Sequence, residues 1–178
     1  MMTQKRPQSN EYAPYYGKYV MLVPEGDFLQ ILEAELREMK QLLEPLTEQQ
    51  AEFRYAPGKW SIKETLGHVN DAERIFTVRI LRIARGDQTP LPGFEQDDYV
   101  RDSNAASRKL SDLLEEFAAI RRATIALIRS LDDASWLRRG NASGKEVSVL
   151  AIAFIIAGHA LHHRKIFAEK YLPAMPSA

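Results

Sequence analysis

Apolar residues recur along this chain at helical spacing in four long blocks. Phe28, Ile31, Leu32, Leu36, Met39 and Leu43 keep three- and four-residue steps, which puts them on one face of an amphipathic helix. Asp27 suits its N-cap, and Pro45 ends it. A second block opens on Ser61 and Glu64, an S-x-x-E capping box. There the serine oxygen can accept from the N–H of residue 64, and the glutamate can reach back to that of residue 61. This helix is predicted to run to about Arg85 and to stop at Gly86. A third is predicted over about Ala105 to Leu131, and a fourth from about Ser148 to Tyr171, before Pro173. Thr47 to Gln50 reads as one short turn. Tyr55 to Trp60, the long stretch Asp87 to Ser103 and the polar segment Arg138 to Lys145 read as loops. No strand alternation stands out. The pattern therefore predicts an all-α fold, an antiparallel four-helix bundle with a long loop between the second and third helices. Residues 26–172 would form the bundle. Residues 1–25, crowded with Tyr12, Tyr15, Tyr16 and Tyr19, would form an arm packed on it, and residues 173–178 a C-terminal tail.

Composition narrows the function. The chain has 178 residues, 45% of them hydrophobic, enough for one domain with a full core. Lys+Arg and Asp+Glu are both 24, so nothing in the charge favours a nucleic-acid partner. Cysteine is absent, which excludes disulfides, thiolate zinc sites, Fe–S clusters and a cysteine nucleophile. Met1 to Glu11 has no apolar stretch to serve as a secretory signal. The longest apolar run, Val149 to Ala157, is short of the ~20 residues a bilayer span needs. The expectation is a cytoplasmic protein without membrane attachment.

The histidines carry the candidate chemistry. His68 lies in the second predicted helix, and His159, His162 and His163 in the fourth. At about 100° per residue, His159 and His163 are about 40° apart, on the stripe that also carries Ile152, Ile155, Ile156, Ile166 and Phe167. His68 shares its face with Glu64, Asp71, Ala72, Ile75 and Arg79. Buried polar groups left unpaired cost about 1–3 kcal/mol each, so the two helices would have to satisfy one another. Neutral imidazoles ligate divalent ions such as Zn²⁺, Ni²⁺ and Fe²⁺. A pair at i and i+4, with a third from another helix, leaves an open coordination position, the mark of a catalytic site. His162 could replace His163, since i and i+3 also chelate. Asp71 and Glu64 are candidates to orient a ligand histidine or to act as general base. Glu64 also serves as a cap, and Arg79 could hold an anionic substrate or simply complement a helix C-terminus.

Gly58-Lys59-Trp60-Ser61-Ile62-Lys63-Glu64-Thr65-Leu66-Gly67-His68-Val69-Asn70-Asp71 resembles the signature of the DinB-like (DinB/YfiT) superfamily. Ile155-Ile156-Ala157-Gly158-His159-Ala160-Leu161-His162-His163 resembles its closing motif, and Pro90 to Tyr99 is similar to its loop after the second helix. The resemblance spans Tyr12 to Leu172. It implies a four-helix bundle, a homodimer, and one divalent transition metal (Zn, Ni, Fe or Mn) held by His68, His159 and His163. It implies a small-molecule substrate, with a low-molecular-weight thiol such as bacillithiol, mycothiol or glutathione as cosubstrate. The function expected is transfer of that thiol to a small electrophile. The alternatives are hydrolysis of small amides or esters, or metal binding in a stress response without turnover.

Overall fold

The computed structural model describes residues 5–175. Residues 1–4 of the predicted arm and 176–178 of the predicted tail lie outside the described residues. A short helix α1, Gly17–Val20, precedes α2, Phe28–Leu43, which Asp27 caps by accepting from the N–H groups of Leu29 and Gln30. The turn α3, Glu48–Ala51, is closed by a Thr47/Gln50 capping box. Next comes α4, Ile62–Ala84, with the Ser61/Glu64 box at its start, then α5, Gln96–Asp102, and α6, Leu110–Arg129. The short α7, Asp133–Leu137, leads to a hairpin of β1, Arg139–Ala142, and β2, Lys145–Ser148. The chain closes with α8, Val149–Ile166, a π turn over Phe167–Tyr171, and α9, Leu172–Ala174.

The four long helices α2, α4, α6 and α8 form the bundle. Extensive contacts join α2 to α6, α6 to α4, α4 to α8 and α8 to α2, so α2 and α4 sit on a diagonal. Side-chain pairings give the directions. Asn70 reaches Leu113 and Thr77 reaches Thr124, so α4 and α6 run parallel. Thr65 meets Tyr171 near one end, while Gly140, next to the start of α8, lies against Ile83 at the other, so α4 and α8 run antiparallel. Two parallel neighbours require the chain to return along the bundle between them, and the segment 85–109 is that crossover. It is not all loop: α5 lies within it. Asn104, at φ +57°, and a 3₁₀ turn over Ala105–Ser107 delay the start of α6 to Leu110. Ala105 there packs against Gly67, where a Cβ would approach its methyl to 2.8 Å.

The segment expected to be a polar loop, 138–145, is instead largely hairpin. Ser143 and Gly144 have φ of +55° and +74°, the positive values that a two-residue turn matched to strand twist requires. Leu91 of the crossover adds to it, donating to the Asn141 carbonyl and accepting from the Ser143 N–H, both at 2.9 Å. Arg79, buried, donates to the Pro92 carbonyl at 2.7 Å and to Ser143 Oγ at 3.1 Å. It fastens the crossover to the hairpin through its Nη2 group.

The first part of α8 is buried around its whole circumference, from Val149 to Ala160. α1 lies directly on it: a Cβ at Gly158 would sit 2.0 Å from the Tyr19 carbonyl oxygen. Only glycine permits that approach, and it holds Tyr19 over the histidine-bearing turns of α8. Deeper in the bundle, fully buried Arg121 of α6 binds Glu73 of α4 at 2.9 Å and Glu35 of α2 at 2.5 Å, tying three helices together. No helix of the described residues is long and apolar enough to cross a membrane.

Candidate metal centre

His68 is in the second turn of α4, and His159 and His163 face it from α8. The antiparallel packing of these two helices brings together residues 91 and more positions apart in sequence. His159 Nε2 lies 3.1 Å from His68 Nε2 and 3.1 Å from His163 Nε2. All three rings are buried, and their ligand atoms lie within 4.8 Å of one another.

Hydrogen bonding alone does not account for this arrangement. A ring nitrogen carries either one proton or one lone pair, so His159 Nε2 can complete one good hydrogen bond but faces two neighbours. The Nδ1 atom of His163 is buried with no partner. Burial holds all three imidazoles below their ordinary pKa, His68 at about 4, and the neighbouring histidines push His159 and His163 further down. They are therefore neutral, with lone pairs free for a cation, which is the state metal binding needs. Ligands about 2.0–2.1 Å from one ion lie roughly 3 Å apart, as His159 Nε2 does from the other two Nε2 atoms. The residues fit a divalent ion of the Zn, Ni, Fe or Mn type.

Aromatic rings wall the cluster. Trp60 lies 4.9 Å from the His68 ring, and Tyr19 packs edge-on 5.3 Å from both His159 and His162. Burial pushes the Tyr19 hydroxyl pKa up, so it remains a neutral phenol. His162 is half-buried against Tyr19 and stands outside the converging set; His163 is the member from that pair.

Two cavities border the cluster. One, about 380 Å³, is lined by Tyr55, Trp60, Thr65, Asp97, His163 and Tyr171 among others. The second, about 280 Å³, is lined by Tyr15, Tyr16, Phe76, Phe94, His68 and His159 among others. Gln96 and Asp97, at the start of α5, line both.

The two carboxylates singled out from the sequence lie elsewhere. Glu64 accepts from the Ser61 N–H at 2.6 Å and binds Arg54 at 2.7 Å. Asp71 is half-buried 3.6 Å from Arg74, its pKa raised by burial. Neither lines either cavity or hydrogen-bonds a histidine. The acid that does border both cavities, Asp97, was not among the sequence candidates. Its one signal was its place in a loop rich in proline and acidic residues.

A sequence profile of the DinB superfamily matches residues 31–167. Among solved structures, YfiT from Bacillus subtilis is similar, with a TM-score of 0.74 and 18% identity over 93% of this chain and 91% of that one. It is described as a probable metal-dependent hydrolase with an unusual four-helix bundle topology. At that identity the likeness shows the shared fold. No curated protein matches the chain.

Proposed function

The chain belongs to the DinB superfamily, and from that premise we propose that it is a divalent-metal-dependent enzyme that transfers a low-molecular-weight thiol to a small electrophile. The observation that carries this reading is the convergence of three neutral imidazole nitrogens where two separate cavities meet. Two spaces on either side of one centre suit two small reactants. The chain has no cysteine, so the sulfur has to arrive with a cosubstrate.

His68, His159 and His163 would hold the ion. When bound, such an ion supplies Lewis acidity that brings the pKa of a coordinated thiol or water toward neutrality. The chain's own residues set the surroundings. The packing of α4 on α8 fixes the three rings, so little order is lost when ligand binds. Trp60 and Tyr19 keep bulk water from their faces, which strengthens charge interactions inside. Tyr15, Tyr16, Phe76 and Phe94 give the smaller cavity an apolar wall for the organic part of a reactant.

Hydrolysis of small amides or esters is the second reading, and the description of YfiT favours it. The same chain residues would serve, with water in place of the thiol. The two separate in one assay on zinc-, nickel- and manganese-loaded protein. Conjugation of chlorodinitrobenzene or monobromobimane with glutathione, bacillithiol or mycothiol is compared with thiol-free hydrolysis of p-nitrophenyl acetate. Thiol-dependent conjugation that His159→Ala abolishes is the expected result. Thiol-free hydrolysis alone transfers the assignment to the second reading. Neither activity, with tightly bound metal, leaves a metal-binding protein without turnover.

A further inference from the structure

A site that moves a proton from a nucleophile needs a base within reach, and most nearby acids are already engaged. Glu64 is held by Arg54 and the α4 cap, Asp71 and Glu116 by Arg74, and Asp98 and Asp102 by Arg101. Glu95 borders only the smaller cavity. Asp97 lines both cavities and, among the described residues, forms no ion pair or side-chain hydrogen bond. Its negative charge acts on His68, partly offsetting the effect of burial there. The neighbouring Asp98–Arg101 pair, at 2.7 Å, stays within α5 and leaves Asp97 to the cavities.

We propose that Asp97 is a catalytic residue of this site, the carboxylate that accepts the proton of the nucleophile seated between the two cavities. The inference rests on the metal-dependent reading above and applies to thiol and water alike. As the nucleophile's electron pair forms the bond to the electrophilic carbon, its S–H or O–H bond breaks and the proton passes to a carboxylate oxygen of Asp97. The leaving group departs with its own electron pair and takes that proton, which regenerates the carboxylate. No oxidant or reductant is required. The crossover thus contributes to the chemistry as well as to the topology, by carrying the base over the histidines.

The test needs no known substrate. Zinc-loaded protein is titrated calorimetrically with acetohydroxamic acid, a neutral metal ligand that gives up a proton on binding, and with azide, an anion that has none to give. Asp97→Asn should weaken hydroxamate by roughly tenfold, the loss of one charge-assisted hydrogen bond. Azide should bind as well or better, because a repelling charge has gone. Asp97→Glu should recover part of the hydroxamate affinity, and Asp98→Asn should match the unaltered protein with both probes. Hydroxamate binding unchanged in Asp97→Asn, or both probes weakened equally, overturns the proposal, as does loss of the zinc itself from that variant. Zinc that fails to bind the unaltered protein overturns the metal reading first, and this inference with it. Far-UV circular dichroism of each variant guards against misfolding, which an exposed position on a short surface helix makes easy to avoid.

Discussion

α4 contributes to two buried polar clusters of opposite character. On one side, Glu73 joins Glu35 around Arg121, and five-donor guanidinium geometry meets carboxylate oxygens at 2.5–3.2 Å. One oxygen, Glu35 Oε1, is left without a partner. On the other side, His68 joins His159 and His163, three neutral imidazoles whose ligand atoms lie within 4.8 Å of one another with no acid hydrogen-bonded to them among the described residues. The first cluster is supplied entirely by the protein, one arginine against two carboxyl groups, in the middle of the bundle. The second opens on cavities, and its donor set fits a cation that the chain itself does not supply. Burial alone therefore does not separate a scaffold group from a functional one; what separates them is whether the protein supplies both halves of the interaction.

The largest expected effect comes from breaking the arginine cluster. Arg121→Leu leaves two carboxylates buried without their counter-charge and should cost about 3–5 kcal/mol, read by urea unfolding. Replacing all three members with apolar residues of similar volume should recover most of that loss. A cost below about 1 kcal/mol for the single change would mean that water reaches the cluster. The histidine cluster should respond to ligand instead. Free zinc at about 100 times its dissociation constant should stabilise the protein by about 2.7 kcal/mol, seen as a rise in Tm. His159→Ala should remove the rise, and an equal rise in that variant would place the ion elsewhere.

The smallest effect is a difference in sign with pH, in metal-free protein. Burial lowers His68 from 6.5 to about 4. Between those values the unfolded chain binds more protons there, so stability is lost as pH falls through that window. Glu35 behaves oppositely, because burial raises it from 4.5 to about 7. The native state holds a proton there that the unfolded chain has released, so its contribution declines as pH rises from 4.5 through 7. Glu35→Gln removes that decline. Relative to the unaltered protein, the variant should become more stable as pH rises from about 5 to 8. Parallel stability curves for the two proteins would show that Glu35 is not protonated in the fold.

Much of this was legible in the sequence because it is local. The spacing of Phe28, Leu32, Met39 and Leu43 and the boxes at Thr47 and Ser61 are read within a few residues, and the structure keeps all of them. The two histidines of α8 were legible as a chelating pair for the same reason. What escaped depends on distant partners. Arg121 was not singled out, because its carboxylates lie on two other helices, although Glu35 already sat between Leu32 and Met39 on an apolar stripe. The β1–β2 hairpin has no alternating pattern; its Ser143-Gly144 turn and the strand-like pairing with Leu91 make it. The parallel α4–α6 pairing follows from a long crossover, and helical periodicity carries no direction. Asp97 was hidden for the same reason, since only that crossover carries it to the histidines.

Anomalous diffraction from crystals grown with zinc, measured on both sides of the zinc absorption edge, tests the central claim most directly. The account predicts one peak per chain, shared by the Nε2 atoms of His68, His159 and His163, and no peak there in His159→Ala crystals. A histidine cluster without a peak at saturating zinc, or a peak held by other residues, would contradict it.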